Sequence, residues 1–100
     1  MDERTVRESA ETHARATVER DYTVAASYLT DDVKANVGEI MKAMPRSLTS
    51  ADVLEVDVSD DAAICRIRYA GGEGVTTVES RWQVVDGRPM IVALEVVERT

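Results

Sequence analysis

Residues 51–98 read ADVLEVDVSDDAAICRIRYAGGEGVTTVESRWQVVDGRPMIVALEVVE, and this stretch decides the fold. Apolar and polar residues alternate along much of it, which is typical of half-buried β-strands. Clusters of Gly and Asp interrupt the alternation three times, where hairpin turns are expected. The pattern predicts four antiparallel strands at about residues 51–58, 62–70, 75–85 and 89–98.

The first two turns predict which residues face each other across the strands. GGEG at residues 71–74 suits a primed two-residue turn, because glycine tolerates positive φ. The aspartates at residues 60–61 can form a similar turn. Together the two turns place Arg66 opposite both Glu55 and Glu79.

The third turn, at residues 85–88, is ambiguous because Asp-Gly suits a two-residue loop or a three-residue loop with a glycine bulge. A slip of one residue exchanges the two faces of a strand, so the segregation of apolar residues can choose between them. The three-residue loop places Trp82 opposite Met90 and Ser80 opposite Val92. It is preferred because it keeps charged residues off the apolar face.

With this register the sheet has one apolar face and one charged face. The inner face is predicted to carry Leu54, Val56, Val58, Ala63, Cys65, Ile67, Val78, Ser80, Trp82, Met90, Val92 and Leu94. The outer face is predicted to carry Val53, Glu55, Asp57, Ile64, Arg66, Arg68, Thr77, Glu79, Arg81, Ile91, Ala93 and Glu95. Cys65, the only cysteine, is expected to be a small core residue.

The first half of the chain predicts two helices that cover the inner face. Apolar residues recur at intervals of three and four over about residues 5–29 and again over 31–44. Thr5 and Glu8 match a capping box at the start of the first helix. Pro45 marks the end of the second helix.

The size and charge of the chain limit its fold and its partners. One hundred residues sustain one core, so we expect a single domain, residues 1–100, with an α+β fold in which two N-terminal helices pack on a curved four-stranded antiparallel meander. The net charge of -7 makes nucleic acid and membrane unexpected partners. The absence of a long apolar run and of a signal-peptide pattern predicts a cytoplasmic protein. One cysteine and one histidine predict neither a metal site nor another cofactor.

Two stretches resemble the nuclear-transport-factor-2-like (NTF2-like) superfamily, which has a cystatin-like cone fold, and its SnoaL-like branch in particular. Residues 18–33, VERDYTVAASYLTDDV, are similar to the pattern in which an acidic turn and D-D-V follow a long first helix. Residues 81–91, RWQVVDGRPMI, are similar to the last hairpin of that family. The resemblance implies a cone-like α+β fold, an apolar pocket inside the cone and frequently a homodimer. It implies no particular activity, because this fold hosts isomerases, dehydratases, cyclases and binding modules.

The pocket is expected between the helices and the sheet. Its predicted lining residues are His13, Tyr22, Tyr28, Tyr69, Ser80, Trp82 and Met90. Among them His13 is the weak candidate for acid–base catalysis. It lies about 12 Å along one helix from Asp21, at 1.5 Å per residue, so these two side chains do not form a catalytic dyad.

Three functions fit this sequence. The first is a homodimeric binding module for a small apolar or amphipathic ligand. The second is a SnoaL-like isomerase, dehydratase or cyclase that uses His13 and a pocket tyrosine. The third is a protein-association domain whose pocket is filled by flexible methionines. The homodimer is expected to use the outer sheet face, through Val53, Ile64, Arg66, Glu79, Arg81, Ile91 and Ala93.

Overall fold

The computed structural model describes residues 1–100 as three helices followed by four strands. The elements are α1 (Glu3–Val18), α2 (Tyr22–Ala26), α3 (Asp31–Ala43), β1 (Leu48–Ser59), β2 (Ala62–Gly71), β3 (Gly74–Val85) and β4 (Arg88–Arg99). The strands form one antiparallel sheet in chain order, with the helices packed on one face. None of the helices has the length and apolar character needed to cross a membrane. The predicted α+β fold, with N-terminal helices on a four-stranded meander, is confirmed.

The predicted first helix, residues 5–29, is in fact two helices. α1 ends in a Schellman motif, in which the amide of Asp21 donates to the carbonyl of Ala16 at 2.8 Å and the amide of Arg20 donates to that of Thr17 at 3.2 Å. Arg20 has a left-handed φ of 62°. Asp21 then caps α2 with its side chain. The apolar spacing continues across this break, so periodicity alone could not reveal it.

The start of α1 also differs from the predicted capping box. The side chain of Asp2 accepts hydrogen bonds from the amide of Thr5 at 3.3 Å and from its hydroxyl at 3.1 Å. Glu8 bonds to Arg4 at 3.3 Å instead of capping. A carboxylate at the N-cap is favoured by the positive end of the helix dipole.

The first two hairpins have the predicted tips, and Arg66 lies opposite both Glu55 and Glu79 as expected. The turn between Gly71 and Gly74 is not primed, however, because neither of its central residues has a positive φ. Gly74 carries the positive φ instead, at 147°.

A bulge in β1 moves Val53 to the inner face. Val53 lies opposite Ile67 on the inner face, where Leu54 was predicted. The register shifts between Val53 and Glu55, so Leu54 is the extra residue and is 45% exposed. The assignment of Val53 to an outer dimer interface is therefore wrong.

The third hairpin has a two-residue loop, so the preferred three-residue loop is wrong. Val85 pairs with Arg88, and Asp86 and Gly87 between them have φ values of 52° and 81°. Positive φ at both central residues is typical of a type I′ turn, whose twist matches that of the flanking strands.

A bulge in β4 then changes the register a second time. Ile91 lies opposite Trp82 and is fully buried, so its assignment to the outer face is wrong. Met90 lies opposite Gln83 rather than on the inner face. The bulge shifts the register by one residue and brings Leu94 opposite Ser80. No single register could turn both Ile91 and Leu94 inward, because they are three residues apart and strand faces alternate every residue.

The core is centred on an aromatic cluster. Trp82 is fully buried, and its indole Nε1 donates to the hydroxyl of Ser80 at 2.8 Å. Ser80 in turn donates to the carbonyl of Cys65 at 3.3 Å. The rings of His13 and Tyr28 meet Trp82 edge-on, at centroid distances of 6.3 and 5.9 Å. Cys65 is buried in the core as predicted.

Two helices lie over opposite halves of the sheet and leave a gap between them. α1 packs mainly on β1, whereas α3 packs on β4. The α2–α3 connection is joined to the sheet edge, because Ile91 accepts a backbone hydrogen bond from Thr30 at 3.1 Å and donates one to Tyr28 at 2.6 Å. The central strands β2 and β3, together with Leu94 of β4, form the floor of the gap.

The bulged register predicts which β-sheet residues support the fold. Ile91→Ala should lower the free energy of unfolding by about 2–5 kcal/mol, because it leaves a cavity beside Trp82. Leu54→Ala is the matched control and should cost less than about 1 kcal/mol, because Leu54 is largely exposed. Urea unfolding monitored by the fluorescence of Trp82 measures both values. Equal losses would contradict the observed register.

Candidate functional site

The gap between the helices and the sheet contains an apolar cavity of about 280 Å³. Its walls come from α1, α2, the end of the α2–α3 connection and α3, and its floor comes from β2, β3 and β4. Eleven of its thirteen lining residues are apolar or aromatic. The lining consists of His13, Thr17, Tyr22, Ala25, Ala26, Leu29, Val37, Ile40, Met41, Met44, Tyr69, Val78 and Leu94.

The predicted pocket residues divide into two groups. His13, Tyr22 and Tyr69 line the cavity. Ser80, Trp82, Tyr28 and Met90 do not. Ser80 and Trp82 lie on the inner face, but the buried aromatic cluster encloses them. Tyr28 packs between Trp82 and the guanidinium of Arg88, and Met90 was displaced by the register of the third hairpin.

The α3 side of the cavity was not among the predicted lining residues. Val37, Ile40, Met41 and Met44 line it from α3. These residues were recognisable as an apolar helical stripe, but a stripe does not distinguish side chains that fill a core from side chains that border a void. The distinction depends on the gap between α1 and α3, which is a tertiary feature.

His13 is the polar centre of the cavity. Its side chain is buried, with 7% of the residue exposed, and its Nδ1 lies 2.9 Å from the carbonyl oxygen of Ala25. Because a carbonyl only accepts, Nδ1 carries the proton and Nε2 is left with the lone pair. Nε2 has no partner in the protein and is not sealed from its surroundings. It is therefore available as an acceptor to a molecule in the cavity.

Burial also decides the protonation state of His13. Desolvation lowers the pKa of His13 below its ordinary value of 6.5, and the hydrogen bond to Ala25 only partly opposes this shift. The imidazole is consequently neutral at pH 7. A neutral imidazole in an apolar site can accept a hydrogen bond or a proton from a bound molecule.

Two hydroxyl groups complete the polar part of the cavity. Burial raises the pKa of Tyr69 to about 12, with the neighbouring Thr17 side chain opposing the rise, so the phenol keeps its proton. Thr17 donates its own hydroxyl proton to the carbonyl of His13 at 2.9 Å. The Thr17 hydroxyl and the Tyr69 phenol are also hydrogen-bonded to each other. Nε2 of His13 is therefore the polar group that the cavity leaves free for a ligand.

The lining residues include no carboxylate and offer no cluster of metal ligands. No group of three or more His, Cys, Asp or Glu side chains is placed to hold a metal ion. The chain matches no protein-family model and none of the curated proteins. The side chains that line the cavity offer apolar contact, with His13, Thr17 and Tyr69 as its polar groups.

The buried imidazole predicts a pH dependence of stability. Because the folded-state pKa of His13 lies below 6.5, the unfolded chain binds the proton more readily. The contribution that neutral His13 makes to the free energy of unfolding is complete above pH 6.5. It is lost as the pH falls towards the folded-state pKa. Between pH 7 and 5 the free energy of unfolding should fall by up to about 1.4 kcal/mol for each pH unit from this group alone.

His13→Gln should reduce that slope, because glutamine can still donate to Ala25 but does not titrate. His13 is the only histidine, so no second imidazole contributes in this interval. Urea unfolding at several pH values measures the slope in both proteins. Identical slopes would show that burial does not shift the pKa of His13.

Proposed function

We propose that this chain is a binding module of the NTF2-like superfamily, which holds a small amphipathic molecule in the cavity between its helices and its sheet. The observation that carries the proposal is the apolar cavity with a neutral, unpartnered imidazole nitrogen in its wall. The helices on one face of an antiparallel meander agree with the cone expected of that superfamily.

The size of the cavity favours a small ligand. Pockets for drug-sized molecules span about 300–1,000 Å³, and this cavity of about 280 Å³ lies just below that range. Tyr22 and Met41 line the cavity and are 52% and 41% exposed, so they mark its mouth. Met41 and Met44 have flexible side chains that can adapt to the shape of a ligand.

The polar groups favour a ligand with one hydrogen-bonding group on an otherwise apolar body. Such a group could donate to Nε2 of His13, whereas the phenol of Tyr69 already has Thr17 as a partner. An entirely apolar ligand would leave Nε2 of His13 without a partner, which costs binding free energy. Apolar contact therefore supplies affinity, and the group at His13 supplies orientation.

The outer sheet face supports a homodimer as the working form of the module. Ile64, Arg66, Glu79, Arg81 and Ala93 lie on this face, which no helix covers. The Arg66 and Glu79 side chains form an ion pair at 3.3 Å. Opposite charges beside aliphatic residues make the face self-complementary, as a two-fold interface requires.

Filling the cavity tests the binding proposal. Val78 lies on the floor and is buried, so Val78→Phe places an aromatic ring in the void. The variant should stay folded and bind octan-1-ol at least about tenfold more weakly than the wild type, because the apolar space is occupied. Isothermal titration calorimetry measures the affinity.

Val84→Phe is the matched control on the same strand, since Val84 is exposed and lies outside the cavity. It should bind octan-1-ol as the wild type does. Unchanged binding by Val78→Phe, or equal weakening in both variants, would show that octan-1-ol does not bind in this cavity.

The dimer is tested by placing a charge at the centre of the outer face. The wild type should sediment at twice the chain mass of 11.0 kDa, and Ile64→Glu should sediment as a monomer because the new carboxylates repel across the two-fold axis. Val24→Glu, on the exposed side of α2, should remain dimeric. A monomeric wild type overturns the dimer, and a dimeric Ile64→Glu protein places the interface elsewhere.

A further inference from the structure

A second depression, of about 320 Å³, opens beside the mouth of the apolar cavity. The two spaces share four lining residues, namely Thr17, Tyr22, Met41 and Met44. The remaining lining of the second depression contains three cationic side chains and no carboxylate. The cations are Arg20, Lys42 and Arg46.

These cations are largely unneutralised. Arg20 and Arg46 form no ion pair, and Lys42 meets Glu39 at 3.5 Å in an exposed pair. Exposed pairs of this kind are weak. The chain has 19 acidic and 12 basic residues. Three cations in the lining of one depression are therefore opposite in sign to the net charge of the chain. The depression beside the mouth thus has a cationic lining on an otherwise acidic protein.

The backbone at Arg20 is a second unusual feature of the rim. Arg20 occupies the position after the C-cap of α1 in the Schellman motif, with a φ of 62°. Glycine is the usual residue there, because a side chain disfavours left-handed backbone. An arginine thus occupies a left-handed position at which glycine would carry less backbone strain. A local rule broken in this way is expected where a side chain serves a function.

We infer that the cavity binds a single-chain amphiphile with an oxyanion head, with its chain in the apolar cavity and its head between Arg20, Lys42 and Arg46. Guanidinium groups suit this role because they donate paired hydrogen bonds to carboxylate, sulfate or phosphate oxygens. The inference rests on the proposed function, because it requires the chain of the ligand to occupy the same cavity. The polar corner at His13 stays available for a hydroxyl or carbonyl group along that chain.

The test compares two probes of equal chain length, octanoate and octan-1-ol, by isothermal titration calorimetry. The wild type should bind octanoate roughly three- to tenfold more tightly, and the preference should shrink as the salt concentration rises. Arg20→Gly and Arg46→Gln should each weaken octanoate binding by roughly two- to fivefold and leave octan-1-ol unchanged. Arg4→Gln, which removes a charge from the distant start of α1, is the control and should change neither affinity.

Arg20→Gly has a built-in check on folding. Because glycine relieves the left-handed strain, this variant should unfold at the same or a higher urea concentration than the wild type while losing octanoate affinity. Loss of binding without loss of stability assigns the effect to the guanidinium.

The other outcomes distinguish failure of the oxyanion site from failure of the apolar cavity. If octanoate and octan-1-ol bind equally, or if Arg4→Gln acts like Arg20→Gly, the oxyanion site is wrong while the apolar cavity stands. If the wild type binds neither probe, the proposed function fails, and the oxyanion site fails with it.

Discussion

The indole of Trp82 donates its hydrogen bond to Ser80 on its own strand, and Ser80 passes a bond on to the carbonyl of Cys65. This arrangement satisfies the only polar atom of the indole within the sheet, so the whole ring can be buried under the helices. His13 from α1 and Tyr28 from the α2–α3 connection meet the ring edge-on. The ring of Trp82 therefore lies at the centre of the contact between helices and sheet. His13, which touches both the indole and the cavity, separates the packed core from the empty space.

The position of α3 depends on a different constraint, at the sheet edge. The bulge in β4 turns Ile91 inward beside Trp82, while the backbone of Ile91 bonds to Tyr28 and Thr30. Thr30 is also the N-cap of α3, so the helix starts from a residue held by the sheet. α3 consequently runs over β4 and stays apart from α1 over β1. The cavity follows from this separation, because the short α2 and its alanines cannot fill the space over the central strands.

The electrostatics of the site vary from its floor to its mouth. Inside, desolvation keeps His13 neutral and the phenol of Tyr69 protonated, so the polar groups act as hydrogen-bonding partners without charge. Beside the mouth, Arg20 and Arg46 present exposed guanidinium groups. Such a gradient complements an amphiphile, whose chain avoids water and whose head requires it. The two proposals describe one ligand from its two ends.

The sequence by itself determined the helical first half, the four strands and the fold class, because helix and strand periodicity and turn chemistry act over a few residues. The Gly-rich and Asp-rich turns placed the hairpins, and the pairing of Arg66 with Glu55 and Glu79 followed from them. Only the tertiary structure decided the bulges at Leu54 and in β4, since a bulge is retained when it lets distant side chains reach a shared core. It likewise decided the break at Arg20, the inward side of Ile91 and the existence of the cavity. A void is defined by what neighbouring elements fail to fill, and no local pattern of residues records that.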